Sequence, residues 1–179
     1  TPAEQKYDKW ELDFLCDYIV NTHHAYVSEA IPLILSYTSK VAQVHGHAHP
    51  AVIEINNLFI GVAEELNLHM IKEERILFPY IKNVCKASRG NEQIPKPTFG
   101  TVLHPIQMME SEHETVGKIL KEIAILSNNY TPPEWACNTF KALYAKLDEF
   151  EQDLHLHVHL ENNILFPKAI ELEKIISIK

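Results

Sequence analysis

The sequence predicts an all-α fold, an up-down-up-down four-helix bundle, and three observations lead there. Glycine is scarce, five in 179 residues. Apolar residues recur at three- and four-residue spacing through four long stretches. The connections between the stretches are short, which favours antiparallel packing of sequence neighbours. With 46% hydrophobic content over 179 residues the chain can bury one sizeable core, so residues 1–179 are expected to form a single domain.

The first helix is expected from about Asp8 to Lys40, and the second from about His49 to Lys86. Pro50 falls early in the second, where a helix has no internal hydrogen bond to lose. The stretch KVAQVHGHAHP, Lys40 to Pro50, connects them. KASRGNEQIPKPTFG, Lys86 to Gly100, is rich in Gly, Pro and polar residues and reads as a loop. A third helix follows from about Thr101 to Ser127. The fourth is expected to open on TPPE, with Thr131 as N-cap, Pro132 at the first helical position and Glu134 at the third, and to run to about Glu173.

Composition excludes several partners. The formal charge is -8 with a pI near 5.7 and no Lys/Arg-rich run, so long-range electrostatics oppose nucleic acid and anionic lipid. No apolar stretch approaches the roughly 20 residues that span a bilayer, and TPAEQK lacks a signal-peptide pattern. Cys16, Cys85 and Cys137 are widely spaced and form no CxxC pair, which argues for a reducing, cytoplasmic setting. The unusual count is histidine, with 11 residues.

Two segments are near-copies of each other. LNLHMIKEERILFP, Leu66 to Pro79, aligns without gaps on LHLHVHLENNILFP, Leu154 to Pro167, pairing His69 with His157 and Glu73 with Glu161. Helical periodicity selects the same residues. Leu143, Leu147, Phe150, Leu154, His157, Glu161 and Ile164 form one inward stripe. Phe59, Val62, Leu66, His69, Glu73 and Ile76 form a second, and Ile106, Met109, His113, Val116 and Leu120 a third. In the first helix two stripes are acceptable, one through Val20, His24, Val27, Ile31 and Ile34, the other through Cys16, Ile19, His23, Tyr26, Ala30 and Leu33. Periodicity leaves His23 and His24 undecided.

Depth is consistent with convergence. His69 and His157 each lie ten residues before a terminal proline, on helices that run parallel, so at about 1.5 Å per residue they sit at equal height. His24 and His113 each lie about 14 residues before their estimated helix ends. Two carboxylates buried among four imidazoles, with no Lys or Arg on those stripes, require a compensating cation. A pair of divalent or trivalent metal ions, Fe, Zn or Mn, balances the charge most simply.

Other histidines and acids have blander roles. HGHAH, His45 to His49, looks like a metal-binding tract but reads rather as an exposed connector; His155 and His159 read as surface residues, their i, i+4 spacing also suited to adventitious metal, and His104 beside Pro105 as structural. Glu65 and Glu112 neighbour the stripes as hydrogen-bond acceptors, a proton path or solvated residues. Cys16 and Cys137 read as small core residues.

With these residues in view the chain resembles the hemerythrin-like domains, and more narrowly the repair-of-iron-centres family of di-iron proteins. The resemblance is carried by THHAYVSEAIP (Thr22 to Pro32), HMIKE (His69 to Glu73) followed by ILFP, MESEH (Met109 to His113), and HVHLE (His157 to Glu161) followed by NNILFP. It spans about residues 10 to 172. The family's ligand lies eight residues before the proline of the first helix, which selects His24. The resemblance therefore implies metal ligands His24, His69, His113 and His157, with Glu73 and Glu161 as bridging carboxylates, and two iron ions joined by an oxo or hydroxo bridge.

It implies further that the chain protects or restores iron-sulfur proteins under nitrosative or oxidative stress. The means would be iron donation or nitric oxide handling, with nitric oxide, oxygen and iron-sulfur client proteins as partners. The runner-up is a hemerythrin-type oxygen binder or sensor, but oxygen carriers use an HxxxH pair on the third helix, and here Gly117 follows His113 by four. A ferritin-like oxidase would need ExxH motifs on two helices, and among the stripes only Glu110 and His113 have that spacing. A metal-free bundle with hydrogen-bonded core histidines is the remaining alternative. Family members often carry a small N-terminal cysteine-containing domain, which residues 1–179 are expected to lack, and the loop from Cys85 to Leu103 looks longer than usual.

Overall fold

A computed structural model of the chain describes residues 7–176. After a short 3-10 turn, Tyr7–Lys9, four long helices form the expected bundle: α1 (residues 12–45), α2 (51–90), α3 (Leu103–Leu126) and α4 (138–175). α1 packs against α2 and α4, and α3 packs against α2. No helix among the described residues is long and apolar enough to cross a membrane.

The apolar stripes bury into two cores stacked along the bundle. One gathers Val27, Ile34, Phe59, Leu66, Val116, Phe140, Leu147 and Phe150, and the other Leu15, Ile19, Leu77, Phe78, Ile81, Ile106, Leu160, Leu165 and Phe166. The buried polar side chains His24, His69, Glu73, His113, His157 and Glu161 occupy the seam between them.

Four boundaries differ from the sequence expectation, the first being the start of α1, at Leu12 and not Asp8. α1 continues past Lys40 to His45, carrying exposed Pro32 inside it, so the first connection shrinks to residues 46–50. Gly46 permits this tight approach, because a Cβ there would lie 2.6 Å from Ile53 Cγ1. α2 extends to Gly90 and ends on Asn91, whose left-handed φ of 52° serves as the cap.

The largest correction is at TPPE. α4 begins at Asn138 with Cys137 in the cap position, six residues beyond the cap expected at Thr131. Pro133 disfavours the helical region for Pro132 before it, and Asn128, Asn129 and Tyr130 all have positive φ. The tandem prolines instead make a turn in which Ala136 N–H donates to Pro133 O at 3.0 Å. Cys137 is consequently exposed, contrary to the core role expected of it, whereas Cys16 is buried as expected.

A buried clasp ties the far ends of the helices together. Glu173 Oε2 accepts from Tyr80 O–H at 2.6 Å and from Val102 N–H at 2.9 Å, joining α4 to α2 and to the start of α3.

Candidate metal centre

Three of the four helices change pitch where they carry the candidate ligands. Ile19–His24, Glu73–Leu77 and Leu160–Leu165 are π-helical. At the end of each the backbone N–H reaches back five residues: Ala25 to Val20 O, Phe78 to Glu73 O and Phe166 to Glu161 O. Such turns are rare and concentrate at functional sites. Two have a cause in the sequence, because Pro79 and Pro167 lack the N–H that would bond the carbonyl four residues earlier, inside the π segment in each case.

The extra residue per turn decides which side chains point inward. His69, Glu73 and Leu77 are spaced four and four and are all buried, as are His157, Glu161 and Leu165. An ordinary helix would drift off the stripe over such a run. Ile76, expected inside, is therefore 52% exposed, and Ile164 is only partly buried. In α1 the π turn joins the two competing stripes: Cys16 faces inward before it, Val27, Ile31 and Ile34 after it, and Ile19, His23 and His24 are buried within it.

All six residues expected as ligands converge. Donor atoms of His24, Glu73, His157 and Glu161 lie within 4.8 Å of one another, and so do those of His69, Glu73, His113 and Glu161. Each group thus has two imidazoles of its own and shares the two carboxylates with the other. Glu73 Oε2 is 3.0 Å from His24 Nε2 and Oε1 is 3.1 Å from His69 Nε2. Glu161 Oε2 is 2.9 Å from His113 Nε2 and Oε1 is 2.5 Å from His157 Nε2.

These contacts fit cations better than they fit hydrogen bonds. Glu161 Oε1 and Oε2, Glu73 Oε1 and both ring nitrogens of His157 are buried without a hydrogen-bond partner, an arrangement that leaves their desolvation uncompensated. Two ligands about 2.1 Å from a single ion and at right angles lie roughly 3 Å apart, close to the separations observed. Imidazole with carboxylate suits Fe, Mn or Zn.

Without an ion the carboxylates draw protons onto the imidazoles. Burial opposes charge on His24, but the Glu161 and Glu73 carboxylates beside it outweigh that and lift its pKa to about 10. The same balance, with Asn162 assisting, raises His113 to about 9. Burial disfavours the Glu161 carboxylate, yet His157, His113 and His24 around it hold it well below the usual range.

Several supporting residues lay beyond the reach of the stripes. Glu74 Oε1 is 2.8 Å from His24 Nδ1, and Asn162 Oδ1 is 2.8 Å from His113 Nδ1. Phe78 stacks on His24 at 5.7 Å and Phe166 on His113 at 6.2 Å. The echo contained this signal, since its alignment pairs Glu74 with Asn162 and Phe78 with Phe166. Glu112 is half-buried beside His69, with Oε2 3.7 Å from Nδ1, and is held there by Lys72. Glu65 is exposed. His23 is buried but belongs to neither group: its Nδ1 is 3.1 Å from Asp153 Oδ1 and its ring stacks on His157. Exposed His104 is structural, bonded through Nδ1 to Phe99 O, and His155 and His159 lie on the surface.

A bundle with paired His and Glu groups at its seam is the hallmark of a cation-binding helical protein, and the family comparison agrees. Residues 17–169 match the family model of the hemerythrin HHE cation binding domain, and the chain belongs to that family. Its curated relatives include the iron-sulfur cluster repair protein YtfE of Yersinia pseudotuberculosis serotype IB (strain PB1/+) and that of Yersinia pestis (strain Pestoides F). Each is 36% identical over 171 residues, covering 96% of this chain and 72% of the relative.

Proposed function

We propose that the chain is a non-haem di-iron protein that repairs or protects iron-sulfur clusters under nitrosative or oxidative stress in the cytoplasm. The observation that carries this is the pair of four-donor groups sharing Glu73 and Glu161, in a chain whose relatives bear the name of iron-sulfur cluster repair proteins. His24 and His157 would hold one iron, His69 and His113 the other, with Glu73 and Glu161 and an oxo or hydroxo group between them. Bound iron would supply redox and Lewis-acid chemistry toward a diatomic molecule, and a store of iron for a damaged client.

The protein's own residues prepare that chemistry. The six candidate ligands are at most 7% exposed, so only a molecule as small as nitric oxide or oxygen would reach a metal held between them. Glu74 and Asn162 orient the imidazoles of His24 and His113 through Nδ1, which directs Nε2 inward. Glu74 is itself 43% exposed on its side chain, a route by which a proton on His24 Nδ1 reaches solvent. Four imidazoles rather than the five of an oxygen carrier hold the iron less tightly and favour its release. Gly117, where a carrier would have its further histidine, faces open space.

Metal analysis of protein produced with iron tests this. Two irons per chain are expected, and none after Glu73→Ala with Glu161→Ala. The loaded protein is then expected to restore activity to a nitric oxide-damaged [4Fe-4S] client. Wild-type protein without metal, or a client that stays inactive beside fully loaded protein, would remove the proposal. Iron leaving no faster to a strong chelator than from an oxygen carrier would remove the release step alone.

A further inference from the structure

At the other end of the bundle a cysteine and a histidine meet outside the metal centre. Cys137 Sγ lies 3.2 Å from His45 Nε2, a thiol-to-imidazole hydrogen bond in the Nδ1–H tautomer. The pairing is long-range, between the last residue of α1 and the cap of α4. His45 is held for it, its ring 5.6 Å from that of Trp135 and 5.5 Å from that of Phe140. His24 is 21 residues away along α1, about 30 Å at the helical rise, so the pair is independent of the metal centre.

The surroundings specify what the thiol can meet. Cys137 and His45 share a cleft of about 360 Å³ with Lys40, Val41, Asn138 and Thr139. Cys137 is exposed, while Cys16 and Cys85 are buried. The cleft opens onto the first turn of a 22-residue helix segment, Asn138–His159, whose leading N–H groups have no partner within the helix and favour an anion. Lys40 adds a cation to the same cleft.

We propose that Cys137 and His45 form a nucleophilic pair whose substrate is a small, carboxylate-bearing disulfide, taken up as a mixed disulfide on Cys137. The pair has the nucleophile and base within hydrogen-bonding reach that such chemistry needs. His45 Nε2 takes the proton from Cys137 Sγ. The thiolate attacks one sulfur of the disulfide, an Sγ–S bond forms as the original S–S bond breaks, and the departing thiolate takes the proton from the His45 imidazolium. Cys137 is oxidised, and the released half of the disulfide is reduced to its thiol. Lys40 and the helix N-terminus bind the carboxylate.

The test uses the full chain, freshly reduced and desalted, with glutathione disulfide as probe and intact-mass spectrometry followed by peptide mapping. One adduct per chain on Cys137 is expected, and none on Cys137→Ser. His45→Gln, with unchanged circular dichroism, is expected to slow the reaction at least about tenfold at pH 7, the deficit shrinking at high pH where hydroxide replaces the base. Lys40→Glu is expected to slow glutathione disulfide by about two- to fivefold and to leave the neutral 2-hydroxyethyl disulfide unaffected. An adduct mapped to Cys16 or Cys85, or equal rates for wild type and folded His45→Gln, would overturn the pair. Equal slowing of charged and neutral disulfides by Lys40→Glu would overturn the carboxylate specificity.

Discussion

Replacing Glu161 by glutamine keeps the side-chain shape and removes one of the two charges that both four-donor groups share. Glu161 is fully buried, with one oxygen beside His113 and the other beside His157. The substitution therefore takes a charged donor from each four-donor group at once. Binding free energies of roughly 10–16 kcal/mol for an ion held by four protein ligands amount to about 3 kcal/mol per ligand. Each iron is thus expected to bind about a hundredfold more weakly. His24→Gln touches only the group of His24, Glu73, His157 and Glu161 and is expected to weaken one iron alone. Titrating iron-loaded protein with a competing chelator measures both. At a chelator concentration that leaves wild type with two irons, Glu161→Gln is expected to hold none and His24→Gln one. If Glu161→Gln keeps two irons at wild-type affinity, or His24→Gln loses both together, the shared-carboxylate reasoning is refuted.

Asn162→Ala leaves all six candidate ligands in place but removes the partner of His113 Nδ1 at 2.8 Å. A loss of about 10- to 100-fold in affinity for one iron is expected, and unchanged chelator competition would contradict it. Glu173→Ala strands Tyr80 O–H and Val102 N–H in the clasp and is expected to destabilise the fold by about 2–4 kcal/mol in urea unfolding, with iron content unchanged. The metal-free chain carries a pH signature. His24 and His113 are raised in the folded state above the ordinary 6.5, to about 10 and about 9. Their stabilising contribution is therefore fully present below about pH 6.5 and is lost as pH rises through 9 and 10. The urea midpoint of chelated protein is expected to fall between pH 6 and pH 10, and a flat or rising midpoint would contradict the buried His-Glu pairing.

The fold class was determined by periodicity, because four amphipathic stretches with few glycines have one economical way to hide their apolar faces. The residues brought together at the seam were legible as well. His69 with Glu73, and His157 with Glu161, interrupt apolar stripes at matched positions in two copies of one pattern, and buried carboxylates with no Lys or Arg on those stripes already called for a cation.

Tertiary structure decided what depends on local pitch and on contacts distant in sequence. A fixed helical repeat put Ile76 and Ile164 inside, where π turns put Leu77 and Leu165, and no repeat could show that both stripes of the first helix are used in succession. TPPE satisfied the pattern of a helix start, but the second proline constrains the first, and the backbone turned instead. The contacts of Glu74 with His24, of Asn162 with His113 and of Cys137 with His45 join residues 50, 49 and 92 positions apart. Sequence spacing carries no information about such pairs until the helices have packed, because their separation is set by interhelical geometry and not by the repeat along any one helix.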